Sequence, residues 1–132
     1  MENQEVIYRL GMMEQQLQQL QQQMEAVERG INELERLNLG LDEIPNSQDK
    51  EIFAQIGKGI YVKAKLVSEE LTVNVGDNNF VKKSVSETKE LIREQIEKLK
   101  EVEKELDNSM RIANNEFMEM IEEYQKQEKA EK

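Results

Sequence analysis

The feature that most narrows what this sequence can fold into is a seven-residue rhythm that begins near one end, breaks off, and resumes. Val6, Leu10, Met13, Leu17, Leu20, Met24, Val27, Ile31 and Leu34 follow alternating steps of four and three without a miss. In an α-helix that spacing keeps one apolar seam turned toward a partner helix, as in a coiled coil. A second run answers the first: Ile92, Ile96, Leu99, Leu106, Met110, Ala113, Phe117, Met120 and Tyr124. Glu103 falls on the seam between them, beside Val102, which leaves room for a register shift there. The block from Gln15 to Gln23 fills the spaces between seam leucines. Glutamine is a good helix former, so the block reads as a solvated helix face.

Between the two runs the period changes. Ile60, Val62, Ala64 and Leu66 share one parity and Tyr61, Lys63 and Lys65 the other, the alternation of a half-buried strand. Leu71, Val73 and Val75 repeat it, Ile52, Ala54 and Ile56 form a weaker first strand, and Phe80-Val81-Lys82 a short last one. Gly57-Lys58-Gly59 and Gly76-Asp77-Asn78-Asn79 supply residues suited to positive φ at the turns. The expected fold is mainly α with a little β: a long antiparallel two-helix coiled coil carrying two central hairpins.

The expected boundaries follow from local chemistry, within one domain over 1–132. The first helix covers 3–41, with Gly40 as its C-terminal cap. A linker over 42–51 holds Pro45, the sole proline, with Asn46, Ser47 and Asp49 around it. The hairpins occupy 52–83, joined by Glu69-Glu70. Ser84-x-x-Glu87 matches a capping box and opens a second helix over 84–129. The mixed charges of the last residues predict a frayed tail over 130–132.

A two-stranded hairpin is marginal in water unless more strands or a helix cover it. The helices use their apolar stripes on each other, so the hairpins are expected to bury theirs against other chains. The residues assigned to that oligomeric, β-barrel-like hub are Ile52, Ile56, Ile60, Val62, Ala64, Leu66, Leu71, Val73, Val75, Phe80 and Val81.

Composition excludes several function classes. With 35% charged residues, 5% aromatic and no Trp, the chain has the profile of long helices rather than of a compact globule. Its net charge of −10 is carried mostly by the two helical arms, a surface that repels phosphate backbones, so nucleic acid is not an expected partner. No apolar run is long enough to cross a membrane, and the opening residues lack the pattern of a signal peptide. There is no Cys or His. The lack of thiols fits a cytoplasmic location, and with no imidazole or thiol neither a catalytic residue, a metal site nor a cofactor is expected. Gly57-Lys58-Gly59 is not a P-loop, and Ser86-x-x-Lys89 lies in a helix's first turn without the other motifs of a serine acylase.

The ends of the arms hold more apolar side chains than a seam needs. Val6, Ile7, Leu10, Met12 and Met13 crowd the first, with Met1 before them. Phe117, Met118, Met120, Ile121 and Tyr124 crowd the second. Methionine is flexible and polarisable and recurs on surfaces that accept many partners. Two readings stay open on periodicity alone: an adaptable grip for exposed apolar segments of unfolded proteins, or coiled-coil core that frays.

The segments Ile56-Gly57-Lys58-Gly59-Ile60-Tyr61-Val62-Lys63-Ala64 and Val73-Asn74-Val75-Gly76-Asp77-Asn78-Asn79-Phe80-Val81-Lys82-Lys83-Ser84 resemble those of the prefoldin family, in its archaeal-type α class with two hairpins. Gln55 stands where that family often has Pro, and Asn78 where it often has a second Gly. The resemblance implies an ATP-independent chaperone in which two α and four β subunits join through a β-barrel-like hub. The coiled-coil tips would hold unfolded clients and pass them to a cytosolic group II chaperonin. A structural protein that assembles with itself into filaments or rings would use the same hairpins and is the alternative.

Overall fold

The computed structural model describes residues 2–131, and the side chains of 3–130; Met1 and Lys132, expected to join an apolar cluster and to end the tail respectively, lie outside them. The order is α1 (Glu2–Gly40), a 3-10 turn (Leu41–Glu43), β1 (Glu51–Gly57), β2 (Ile60–Lys65), β3 (Leu71–Asn74), β4 (Phe80–Lys83) and α2 (Val85–Glu131). The expected architecture of two long helices and two antiparallel hairpins is therefore present. The chain divides into two units, one of 1–31 with 98–132 and one of 32–97.

In the first unit the heptad is realised residue for residue. Val6, Leu10, Met13, Leu17, Leu20, Met24 and Val27 are half-buried, Ile31 is buried, and the positions between them are open to solvent apart from Asn3 and Gly30. On α2 the half-buried residues are Leu99, Glu103, Leu106, Met110, Ala113, Phe117, Met120, Ile121 and Tyr124. The register does not shift at Glu103. Its side chain stays on the seam, while Val102 is 40% exposed; a carboxylate at a half-buried seam keeps access to water, so helical spacing prevails. Leu99 of α2 packs over Gly30 of α1: a Cβ at Gly30 would lie 3.4 Å from Leu99 Cδ1.

Both helices depart from expectation at their C-terminal ends. Gly40 is right-handed, with φ −62° and ψ −31°, so it is not a left-handed cap. The chain tightens instead into a 3-10 turn in which Ile44 N–H donates to Leu41 C=O at 3.2 Å, and Pro45 then forbids further helix. The positive φ falls on Asn46 (64°) and Asp49 (69°), residues that tolerate it. At the other end α2 runs on to Glu131, beyond the expected start of the tail, since Lys126 to Ala130 are good helix formers with no Pro or Gly among them.

The hairpins are two separate two-stranded sheets. In the first, Ile52 pairs with Ala64, Phe53 with Lys63, Ala54 with Val62 and Gln55 with Tyr61. A bulge then leaves Ile56 without a cross-strand partner before Gly57 meets Ile60. Of Gly57 and Gly59 in its turn, only Gly59 has positive φ (72°). The linker prolongs this ladder, with Asp49 N–H bonded to Leu66 C=O at 2.7 Å and Leu66 N–H to Lys50 C=O at 3.1 Å. In the second hairpin Asn79 N–H donates to Gly76 C=O at 2.9 Å across Asp77 (φ 50°) and Asn78 (φ 60°). That is a type I′ turn, so Asn in place of the second glycine is accommodated. Asn74 Oδ1 braces it by accepting the Gly76 N–H at 2.9 Å.

Candidate assembly and client-binding surfaces

Strand pairing sorts the hairpin side chains onto faces. Ile52, Ala54, Val62 and Ala64 share one face of the first sheet; Phe53, Gln55, Tyr61, Lys63 and Lys65 share the other. On the second sheet Leu71, Val73 and Val81 share a face, while Phe80 pairs with Asn74 on the opposite one. The structure therefore does not place Phe80 with the rest of the expected hub residues. The two-residue alternation carried this signal, since 80 and 81 cannot point the same way.

The apolar faces are poorly covered within the chain. Ile52 (36%), Val81 (38%), Val62 (42%), Val75, Ile60 and Ile56 (68%) are exposed, and Ala64, Leu66, Leu71 and Val73 are only half-buried. Fully burying a Val, Leu or Ile side chain is worth roughly 1.5–3 kcal/mol, so these sheets hold a reserve of burial that the chain alone leaves unused. Val67, at 78% exposure, was not anticipated from the sequence. It follows Leu66 just outside β2 and shows no alternation that would mark it.

The segments around the hairpins are tied together. The Asn46 N–H donates to the Glu69 carboxylate, and Asp42 pairs with Lys89. Glu70 lies 3.8 Å from Lys82 Nζ, and its N–H donates to Ser68 Oγ at 3.0 Å. Asp42, Glu69, Glu70, Lys82 and Lys89 line an open cleft of about 750 Å³ that also reaches Ser84, Ser86, Glu87 and Arg93. The Glu69-Glu70 connection is thus tied through both residues to its neighbours. At the start of α2 the capping box is formed: Glu87 N–H donates to Ser84 Oγ at 3.0 Å and Ser84 N–H to Glu87 Oε1 at 3.3 Å. The backbone hydrogen bond from Ser84 does most to hold the Glu87 carboxyl below its ordinary pKa, helped by the Ser84 side chain and by nearby Lys83.

At the terminal ends of the helix pair the candidate residues divide into two sets. Val6, Leu10, Met13, Phe117, Met120 and Tyr124 sit half-buried on the seam. Ile7 (54%), Met12 (52%) and Met118 (51%) are exposed off it, and Ile121 is half-buried beside it. Gly30 is as many residues from Met12 as Leu99 is from Phe117, so Met12 and Met118 stand at about the same level. Tyr8, 69% exposed, was missed from the sequence. Its distance of four residues from Met12 puts both on one strip of the helix, and that spacing could have revealed it. Ile112 is exposed as well.

The prefoldin subunit family model matches residues 13–130. The prefoldin subunit alpha of Methanobrevibacter smithii is 31% identical over 97 residues, covering 72% of this chain and 66% of the relative. That of Methanosphaera stadtmanae is 30% identical over 64% of this chain and 67% of its own. Prefoldin subunit alpha 1 of Methanocaldococcus jannaschii is 29% identical over 69% of this chain and 63% of its own. The matched part thus spans about two thirds of the curated relatives' length. Among solved structures, the cryo-EM structure of filamentous PFD from Methanocaldococcus jannaschii has the same fold, with a TM-score of 0.73 and 17% identity, covering 91% of this chain and 98% of the other.

Proposed function

The chain belongs to the prefoldin family, and on that premise we propose that it is the α-type subunit of an ATP-independent, cytoplasmic chaperone. Its hairpins join those of β-type subunits in a β-barrel-like hub, in an assembly of two α and four β chains. The terminal ends of its helices hold unfolded proteins and release them to a group II chaperonin. The single observation that carries this reading is apolar surface left open at two places, the sheet faces around Val62 and Val81 and the helix ends around Ile7, Met12 and Met118. One suits a permanent partner, because strand register fixes its pattern. The other suits transient ones, because its side chains stand on solvated helix with methionine among them. Weak contacts from several arms on one platform add through effective concentration, so no single arm has to bind tightly.

The test is coexpression with a prefoldin β-type subunit, followed by native mass measurement and by aggregation of a chemically unfolded protein. The reading expects a mixed hexamer that suppresses aggregation. A solitary, well-folded monomer at micromolar concentration, or a hexamer without effect on aggregation, overturns it. A second reading is self-assembly into a filament without client delivery. It is favoured by the solved neighbour, which is described as filamentous, and it predicts high-mass homopolymers with no β-type subunit present.

A further inference from the structure

We propose that the second face of the β1–β2 hairpin, opposite the apolar one, docks an extended acidic segment of another protein whose carboxylates recur at every second residue. It rests on the preceding reading in one respect: the apolar face is taken up by other subunits, which leaves this face outward.

Three rows of side chains build the site. Glu51 stands across from Lys65, Phe53 across from Lys63, and Gln55 across from Tyr61. Phe53 is 69% and Tyr61 56% exposed, so neither aromatic ring has been placed to complete a core. Successive side chains on one face of a strand are about 6.8 Å apart, twice the rise per residue. Lys65, Lys63 and Tyr61 therefore form a row with that repeat, and Lys58 adds its charge from the adjoining turn. An extended segment has the same repeat. Its carboxylates at alternate residues meet Lys65 and Lys63 in step, and an apolar side chain two residues further on meets Tyr61 and Phe53. The same alternating segment cannot do this as a helix, because residues two apart on it do not share a face.

Charge selects the ligand. The hairpin carries Lys58, Lys63 and Lys65 against Glu51, a cationic island in a chain of net charge −10. Charges more than about 8 Å away are largely screened at physiological salt, so the local excess of lysine decides what is drawn in. A short acidic peptide meets only the island, whereas a long polyphosphate backbone has to run on past the acidic remainder. The β3–β4 hairpin shows the contrast. Its corresponding face holds Thr72, Asn74, Phe80 and Lys82, and Lys82 already lies 3.8 Å from Glu70.

The experiment uses the full chain assembled with its β-type partner and a labelled peptide bearing one phenylalanine followed by glutamates at alternate positions, separated by serines. Fluorescence anisotropy should show saturable binding that weakens with salt. Affinity should fall roughly tenfold or more when the glutamates become glutamines, and equally in Lys63→Gln/Lys65→Gln. Lys63→Arg/Lys65→Arg should retain binding. Phe53→Ser weakens it by a route independent of charge, and decides the matter if the lysine variant does not assemble. Equal binding of the glutamine peptide, unchanged affinity in the variants, or binding of oligouridylate alone overturns the proposal. Loss of the assembly itself appears in the native mass, so the two readings fail visibly apart.

Discussion

Ser84 and Glu87 hold each other at the start of α2, each side chain accepting the other's backbone N–H, at 3.0 and 3.3 Å. Two of the four backbone donors left orphaned by a helix start are satisfied by this one exchange. Thr88 Oγ1 adds a bond to Ser84 C=O at 2.8 Å and is itself buried. Ser84→Ala should therefore lower the stability of the helix start by about 1 kcal/mol, read as a shift in urea midpoint with an unchanged slope. A variant indistinguishable from the parent would mean that the N-terminal turn is held by packing alone.

The same exchange makes a pH prediction. The Glu87 carboxyl is held below its ordinary pKa by the Ser84 hydrogen bonds, so its folded value is the depressed one. Its stabilising contribution is fully present above the unfolded pKa and is lost as pH falls through the lowered folded value. Glu87→Gln should melt below the parent at neutral pH, and the gap should close in acid. A gap that persists after the parent's carboxyl is protonated would contradict the assignment.

Asn38 takes the seam position after Leu34, and its Oδ1 is buried without a hydrogen-bond partner. An unsatisfied buried polar atom costs about 1–3 kcal/mol, and a polar residue on the seam sets register at the expense of stability. Asn38→Leu should raise the urea midpoint by an amount within that range. A lowered midpoint would mean that the amide has a role that leucine cannot fill.

Gly11 lies inside α1 with nothing within 4 Å of where a Cβ would stand. Gly11→Ala should stabilise the helix by about 0.8–1 kcal/mol. Gly30→Ala should gain at least as much, because its Cβ would make an ordinary van der Waals contact, 3.4 Å, with Leu99 Cδ1. Thermal melts by circular dichroism measure both. A Gly30→Ala variant less stable than the parent would mean that Leu99 cannot make room for the methyl group.

Polar substitutions at the terminal end should separate folding from holding. Ile7→Ser with Met12→Ser and Met118→Ser changes residues that are more than half exposed, and should leave the melting curve near the parent's while weakening suppression of aggregation. Leu10→Ser with Phe117→Ser empties seam positions and should cost several kcal/mol of stability. If the exposed triple variant suppresses aggregation as well as the parent, the client surface lies on other residues.

Periodicity determined most of the fold. A seven-residue repeat admits only a helix with a partner and a two-residue repeat only a strand, so the seam from Val6 to Leu34 and the parity of Val62 and Ala64 were readable before any coordinates. The capping box at Ser84 was equally readable, because its bonds span three residues. What the sequence left open depends on interactions across the chain or on exact backbone angles. The right-handed Gly40, the bulge that isolates Ile56 and the uninterrupted register at Glu103 belong to this class. So does the division of the terminal apolar cluster into a half-buried seam and an exposed strip, with Tyr8 on the latter. Spacing names which residues share a face, but only packing in three dimensions decides which face is left to water.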